Sequence, residues 1–321
     1  MTITTDQSLW IRKATLVVVA GEQGLDLSQM HFKFKTKQSD AESPNTAEIR
    51  IYNLSSATVK QIQGEFTNVV LNAGYENGNF GIIFSGTIIQ FRRGRENATD
   101  TYFDILASDS DIPYNNTMCN ATIKDCTPNK VIDSVSNSMG LKVNNSLDNT
   151  GGVLPRGKVL WGLNRDVMRQ TVQSQGATWS IQNGVVQVIP LQGYLPNEAV
   201  VMNSHSGMIS LPEQTDEGIK VRSLLNPKLV IGGQLQINNT SINQTIAAPA
   251  GKITDGNGNI LPGQLPFDKN AGLQLLADVS SDGFYRIYVV EFTGDTRGND
   301  WYADMICLAI DSSSQEVISK N

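Results

Sequence analysis

Two histidines, three cysteines and a wide scatter of carboxylates are the residues of this chain whose types could do chemistry. His31 sits in Met30-His31-Phe32-Lys33-Phe34-Lys35-Thr36-Lys37, on the polar side of an alternating segment, which suits a solvated or interface imidazole. His205, in Asn203-Ser204-His205-Ser206-Gly207, needs a neighbouring nucleophile and an orienting carboxylate to act as a general base. Ser204 and Ser206 flank it, but no Gly-Xaa-Ser-Xaa-Gly elbow does. Cys119 and Cys126 are separated by six residues, wider than zinc-ligand pairs, and no second pair accompanies them. With Cys307 they make an odd count, read as three reduced, mostly buried thiols rather than a disulfide scaffold.

Glycan hydrolysis asks only for two carboxylates, and Asp109 with Asp111, or Asp295 with Asp300, pair on paper. Each lies in turn-forming sequence, where such side chains cap backbone amides. Asp295, Asn299 and Asp300 do not keep the spacing of an EF-hand calcium loop. A phosphate loop ending in Gly-Lys-Ser/Thr is absent, and Gly256-Asn257-Gly258 opens no helix after a strand. The residues therefore nominate no catalytic group, no cofactor and no metal.

Charge narrows the field further. With 25 basic against 31 acidic side chains the chain carries a net charge of −6, which disfavours a general nucleic-acid binder. Two basic groups stand out locally: Lys33, Lys35 and Lys37 on one strand face, and Arg92, Arg93 and Arg95 after a strand ending at Phe91. Contact with an acidic neighbour and protection of an open sheet edge both fit them. No apolar run approaches the ~20 residues of a membrane helix. Ala14–Ala20 reads as a strand rather than a secretory leader, so the chain is expected to act in, or be assembled from, the cytoplasm. Asn-Xaa-Ser/Thr triplets such as Asn53-Leu54-Ser55 are then turn chemistry.

These residues need elements to position them, and 321 residues exceed what one core of ~250–300 residues holds. The first third is rich in short β-branched or aromatic runs: Leu16–Val19, Met30–Phe34, Ala47–Tyr52, Val69–Tyr75, Phe80–Phe91 and Thr101–Ala107, an antiparallel sheet or barrel. A helix capped by Ser55 interrupts them. The middle changes character. Thr127 and Pro128 open a helix that Gly140 closes, a second helix covers Asn164–Gln175, and Asn183-Gly184 turns a hairpin between Thr178–Ile181 and Val185–Pro190. From about Leu211 the β pattern returns in Gly218–Leu224, Gln234–Asn239, Gly272–Ser280, Phe284–Thr293 and Trp301–Ile310. The Gly-, Pro- and Asn-rich stretch Ser241–Asn270 is long enough to be functional or mobile. At domain scale the β unit occurs twice.

Several phrases resemble the tail baseplate hub proteins of tailed, contractile-tailed bacteriophages. They are Thr46-Ala47-Glu48-Ile49-Arg50-Ile51-Tyr52-Asn53-Leu54-Ser55, Leu71-Asn72-Ala73-Gly74-Tyr75 and Ile83-Phe84-Ser85-Gly86-Thr87-Ile88. Later come Thr127–Ile132, Leu211–Val221 with Leu224-Leu225-Asn226-Pro227, Gly283-Phe284-Tyr285 and Gly294–Tyr302. The resemblance implies a mainly β chain with an α+β insert: two tail-tube-like β-barrel domains at 1–109 and 211–321 flanking a small α+β domain at 110–210. It implies a homotrimer whose six barrels match a hexameric tail tube protein on one side and hold a trimeric spike protein on the other. DNA is then cargo through the lumen, and tape-measure protein and baseplate wedge are further neighbours. On this reading the chain is a virion component, structural and not an enzyme. The expected interface residues are Lys33, Lys35, Lys37, Arg92, Arg93, Asp295, Arg297 and Trp301. A peptidoglycan hydrolase, and the hub of a phage-tail-like bacteriocin or type VI secretion spike, stand as alternatives.

Overall fold

The computed structural model describes residues 9–147, 152–154, 156–203, 206–210, 212–215, 218–237 and 283–309. His205, the Ser241–Asn270 stretch and the expected strand Gly272–Ser280 lie outside the described residues.

The chain opens with β1 (Arg12–Ala20), β2 (Gln23–Asp26), β3 (Phe32–Ser39) and β4 (Thr46–Tyr52), then α1 (Ser56–Glu65), β5 (Asn68–Tyr75), β6 (Phe80–Arg95) and β7 (Thr101–Ser108). A mixed segment follows: α2 (Asp111–Asn116), β8 (Met118–Ile123), α3 (Pro128–Met139), β9 (Lys142–Asn145), β10 (Lys158–Leu163), α4 (Asn164–Gln173), β11 (Ala177–Gln182) and β12 (Val185–Pro190). It closes with β13 (Val200–Met202), β14 (Glu213–Thr215), β15 (Gly218–Leu224), β16 (Gln234–Ile237), β17 (Phe284–Asp295) and β18 (Trp301–Ala309). The chain is thus mainly β.

Local chemistry explains much of this. In β3, Phe32, Phe34 and Thr36 point inward while Lys33, Lys35 and Lys37 point out, the period-two pattern of a half-buried strand. The Thr58 amide donates to Ser55 Oγ at 3.0 Å to start α1, and the Lys130 amide to Thr127 Oγ1 at 3.3 Å to start α3. Gly140 ends α3 in the left-handed region at φ +71°. Gly74 and Gly86 have steric reasons. Gly74 holds φ +151° with Asn79 O only 2.0 Å from where a Cβ would stand, and a Cβ on Gly86 would meet Ser108 O at 2.6 Å.

One thirteen-stranded sheet takes in strands from both the first and the last part of the described chain, in the order β14-β15-β18-β17-β3-β4-β7-β6-β5-β1-β2, with β16 attached beside β17 and β13 beside β16. The last strands join the first because β17 divides its partners. Gln234–Gln236 of β16 pair with its beginning, and Ser39 to Lys33 of β3 pair with Val289 to Asp295. The strand groups on the two sides of this seam repeat one another. β6 and β7 form a hairpin with a register shift at Ile88/Gln90, and β4 and then β3 lie beyond β7. β17 and β18 form a hairpin with a register shift at Ile287/Val289, and β15 and then β14 lie beyond β18.

Two apolar cores result. The larger lies under the thirteen-stranded sheet and draws on Leu16, Phe34, Ile49, Phe103, Val221, Val290, Phe292 and Trp301 among others. The smaller gathers Val131, Ile132 and Val135 of α3, Met168 and Val172 of α4, and Trp179 and Val188 of the β11–β12 hairpin. Polar groups fasten the second core to the first. The Gly184 amide donates to Asp109 Oδ1 at 2.9 Å, and the Ser85 amide to Asn183 Oδ1 at 3.0 Å. Deeper lies Arg286 of β17, 2 % exposed. It pairs with Asp40 and donates to the carbonyls of Pro190, Leu191 and Gly193, at 2.9, 3.3 and 3.3 Å. Asp40 in turn accepts from Thr178 Oγ1 at 3.1 Å. A buried charge stripped of its partner is far costlier than an exposed one. Asp40→Ala should therefore lower stability by about 3–5 kcal/mol, read as a lower midpoint in urea unfolding; an unchanged midpoint would mean that the carbonyls alone satisfy Arg286.

Candidate functional site

The outward face of the sheet carries most of the expected contact residues. β3 supplies it with Lys33, Lys35 and Lys37, and cross-strand register sets their neighbours: Arg50, Glu48 and Thr46 of β4 on one side, Asp295, Thr293 and Glu291 of β17 on the other. Lys35 Nζ reaches Glu291 Oε1 at 2.6 Å, and this bond raises the Lys35 pKa. Lys33 Nζ lies 3.5 Å from Asp295 Oδ2 and 5.5 Å from the centre of the Tyr52 ring. Lys37 is exposed and makes no ion pair among the described residues.

Asp295 closes the β17–β18 hairpin. It accepts from the amides of Arg297 and Gly298, at 2.9 and 2.8 Å, and its Oδ1 lies 2.8 Å from His31 Nε2. Burial works to raise its pKa, but these amides and the His31 ring outweigh burial and hold the carboxyl below its ordinary 3.8. His31 stacks on Tyr52 with ring centres 4.5 Å apart. Together with Lys33, Glu96, Asp100 and Arg297 these two rings line a polar cavity of about 490 Å³ at the end of the sheet, beside both hairpin turns.

Arg92 and Arg93 stand exposed on the far part of β6. Arg92 donates to Gln90 Oε1 at 3.3 Å and Arg93 to Ser56 Oγ at 3.1 Å. Trp301, expected at an interface, is instead 1 % exposed. It falls on the inward phase of β18 and packs edge-on against Phe34, with ring centres 5.6 Å apart.

Other residues complete the face, and the sequence reading did not single them out. Arg50 forks onto Asp104, with Nε and Nη2 at 2.8 and 3.0 Å from the two carboxylate oxygens, and lies 4.2 Å above the Tyr102 ring. Arg222 forks onto Asp304 at 2.6 and 2.9 Å, and lies 5.6 Å above the Tyr302 ring. The two trios occupy matching strands, β4 with β7 and β15 with β18. One signal could have found them: Asp-Xaa-Tyr-Xaa-Asp at Asp100–Asp104 recurs at Asp300–Asp304.

This constellation offers polar recognition and no reaction centre. Asp109 is buried beneath the β11–β12 turn: its Oδ1 accepts from Ser110 Oγ and the Gly184 amide, its Oδ2 has no hydrogen-bond partner among the described residues, and burial raises its pKa. The three cysteines are free and buried, and burial pushes the Cys307 thiol up to about 12. No cluster of potential metal ligands occurs among the described residues, and no described helix is long and apolar enough to cross a membrane.

The family model described as baseplate hub gp41 matches residues 11–248. The chain belongs to that baseplate hub family. No curated protein matches it in sequence. Among solved structures, the hub is similar to the 43 kDa tail protein of prophage MuSo2 from Shewanella oneidensis, with 8% identity and a TM-score of 0.54 over 93% of this chain and 98% of that one. It is similar to the tail protein from Neisseria meningitidis MC58, with 7% identity and a TM-score of 0.55 over 93% and 96%. A third is the E. coli c3393 protein, a type VI secretion component described as similar to T4 bacteriophage tail proteins gp27 and gp5, with 9% identity and a TM-score of 0.55 over 92% and 77%. At such identities the likeness is one of fold. Membership makes the hub a structural component of a phage tail baseplate, hence of the virion tail, and not an enzyme.

The Asp295 turn gives the hub an acid limb. A carboxyl whose folded pKa lies below its unfolded value contributes stability above the unfolded value, and that contribution is lost as pH falls through the folded one. Unfolding at pH 6 and pH 3 should therefore show a smaller pH-dependent loss for Asp295→Asn than for the unaltered hub; equal losses would place the acid sensitivity elsewhere.

Proposed function

We propose that this hub is a homotrimer in which each chain contributes two tail-tube-like β-barrel units, with the α+β segment between them as a side domain. Its pseudo-sixfold ring joins the hexameric tail tube to the trimeric cell-puncturing spike and continues the conduit for DNA. Tape-measure protein and baseplate wedge are its further neighbours, and it is assembled in the host cytoplasm. The observation that carries this reading is the repeat about the β17–β3 seam. Two strand groups with the same order, the same bulge and the same Arg–Asp–Tyr trio lie side by side in one sheet. A chain built so can offer two equivalent surfaces to a sixfold partner.

The charged face supports the conduit. Clustered free cations would hold phosphates through counterion release, whereas Lys33, Lys35, Arg50 and Arg222 each have a carboxylate partner. The likeness to the E. coli c3393 protein favours a second reading on the same architecture, the hub of a type VI secretion spike. Light scattering tests the assembly. The expected species is about 105 kDa, three times the 35.0 kDa chain, alone or on mixing with tube and spike proteins; a stable dimer in the presence of both would overturn it.

A further inference from the structure

The seam inside the chain points to the seam between chains. We infer that the ring closes by antiparallel pairing of the open edge of β6, at Gln90–Arg95, with β14, at Glu213–Thr215, of the next copy, with a salt bridge from Arg92 to Glu213 across the interface. This rests on the trimeric reading above.

The repeat fixes which residues correspond. Arg50 faces Asp104 as Arg222 faces Asp304, so β4 matches β15 and β7 matches β18. Arg92 faces Asp104 as Glu291 faces Asp304, so β6 matches β17, and the two bulges coincide in this alignment. Lys35 faces Glu48 as Glu213 faces Lys220, so β3 matches β14. Inside the chain, the part of β17 after its bulge pairs with β3. The matching part of β6 pairs only with β7, and β14 pairs only with β15, among the described residues. Each therefore has one side of its backbone without a strand partner among the described residues, as a strand does where a further strand can be added.

Carrying the internal register across gives Thr215 opposite Arg92 and Glu213 opposite Gly94, from the pairs Lys37 with Glu291 and Lys35 with Thr293. Charge then decides between the two uses of an arginine-rich edge. Within the chain Lys35 stands opposite Glu48 and bonds Glu291 at 2.6 Å. At the matching positions every sign is reversed: Glu213 stands opposite Lys220, and the remaining corner is Arg92. Arg92 and Glu213 are both exposed, and the one side-chain bond described for Arg92 is to Gln90 at 3.3 Å. Reversing all three signs keeps the interchain contact favourable. It also sets the seam partners apart by charge, Arg92 meeting Lys35 or Glu213 meeting Glu291 being like against like, which disfavours exchange of the two seams. A head-to-tail contact of this kind makes a closed ring when its rotation closes.

Arg92→Glu and Glu213→Arg are exposed changes, expected to leave the unfolding midpoint of the monomer unchanged. Each should raise the trimer dissociation constant about tenfold or more, because three copies of an exposed charge pair become repulsive at once. The combined variant should regain assembly. A second measurement avoids reliance on charge: Arg92→Cys with Thr215→Cys should oxidise to a covalent trimer on a non-reducing gel. Trimers that persist in both single variants, with no covalent trimer from the cysteine pair, would overturn the inference and leave the trimeric reading standing. An unaltered chain that stays monomeric even with tube and spike proteins would sink that reading, and this inference with it.

Discussion

The ladder between Val289–Asp295 and Ser39–Lys33 is the contact on which the rest of this hub depends. Among the described residues it is the one strand pairing that joins β1–β7 to β13–β18, and single backbone bonds from Asp40 to Tyr288 and from Thr296 to Phe32 extend it at its two ends. The ladder is fixed at both ends. At one end Asp295 gathers His31, Lys33 and two backbone amides. At the other, Asp40 follows β3 directly, donates its amide to Tyr288 O and pairs with buried Arg286. Arg286 also reaches the carbonyl that ends β12 and two just after it, so one guanidinium ties both cores together. Two of its three nitrogens are bonded and Nε has no hydrogen-bond partner among the described residues; losing Asp40 would strand the charge, which is what makes the pair costly to break.

The open face follows from the same alternation that builds the core. Each strand that puts Phe34, Ile49, Phe103 or Phe292 inward must put polar residues outward, and on this face basic and acidic groups meet across neighbouring strands. Isolated exposed ion pairs contribute little stability. On the described face Lys33, Lys35, Arg50 and Arg222 lie beside carboxylates, whereas exposed Lys37, Arg92 and Arg93 do not.

Much of the local architecture was legible. Ser55 and Thr127 are helix caps, Gly140 is a left-handed terminus, and Asn183 and Gly184 adopt the positive φ of a tight hairpin, at +51° and +80°. The alternation of β3 told which face Lys33, Lys35 and Lys37 occupy. Less of the face itself was legible. Trp301 looked like a contact residue because it neighbours a polar turn, yet one step of strand phase puts it in the core. The ribbon of β8 and β10 went unseen, since Trp161 and Val159 lie on its exposed side and blur the pattern that marks a buried strand.

What the sequence by itself determined is what depends on neighbours a few residues away: caps, turns, strand phase, and the phrases that mark a baseplate hub. What only the tertiary structure decided is which strand lies beside which. The partners in the seam are separated by most of the chain, so no local preference records them. Arg286 with Asp40, Glu291 with Lys35, and Asp295 with His31 become visible as pairs only once backbone hydrogen bonds have set the strands side by side. Side-chain period fixes a face, but register between distant strands is chosen by core packing and by the charges that meet across it.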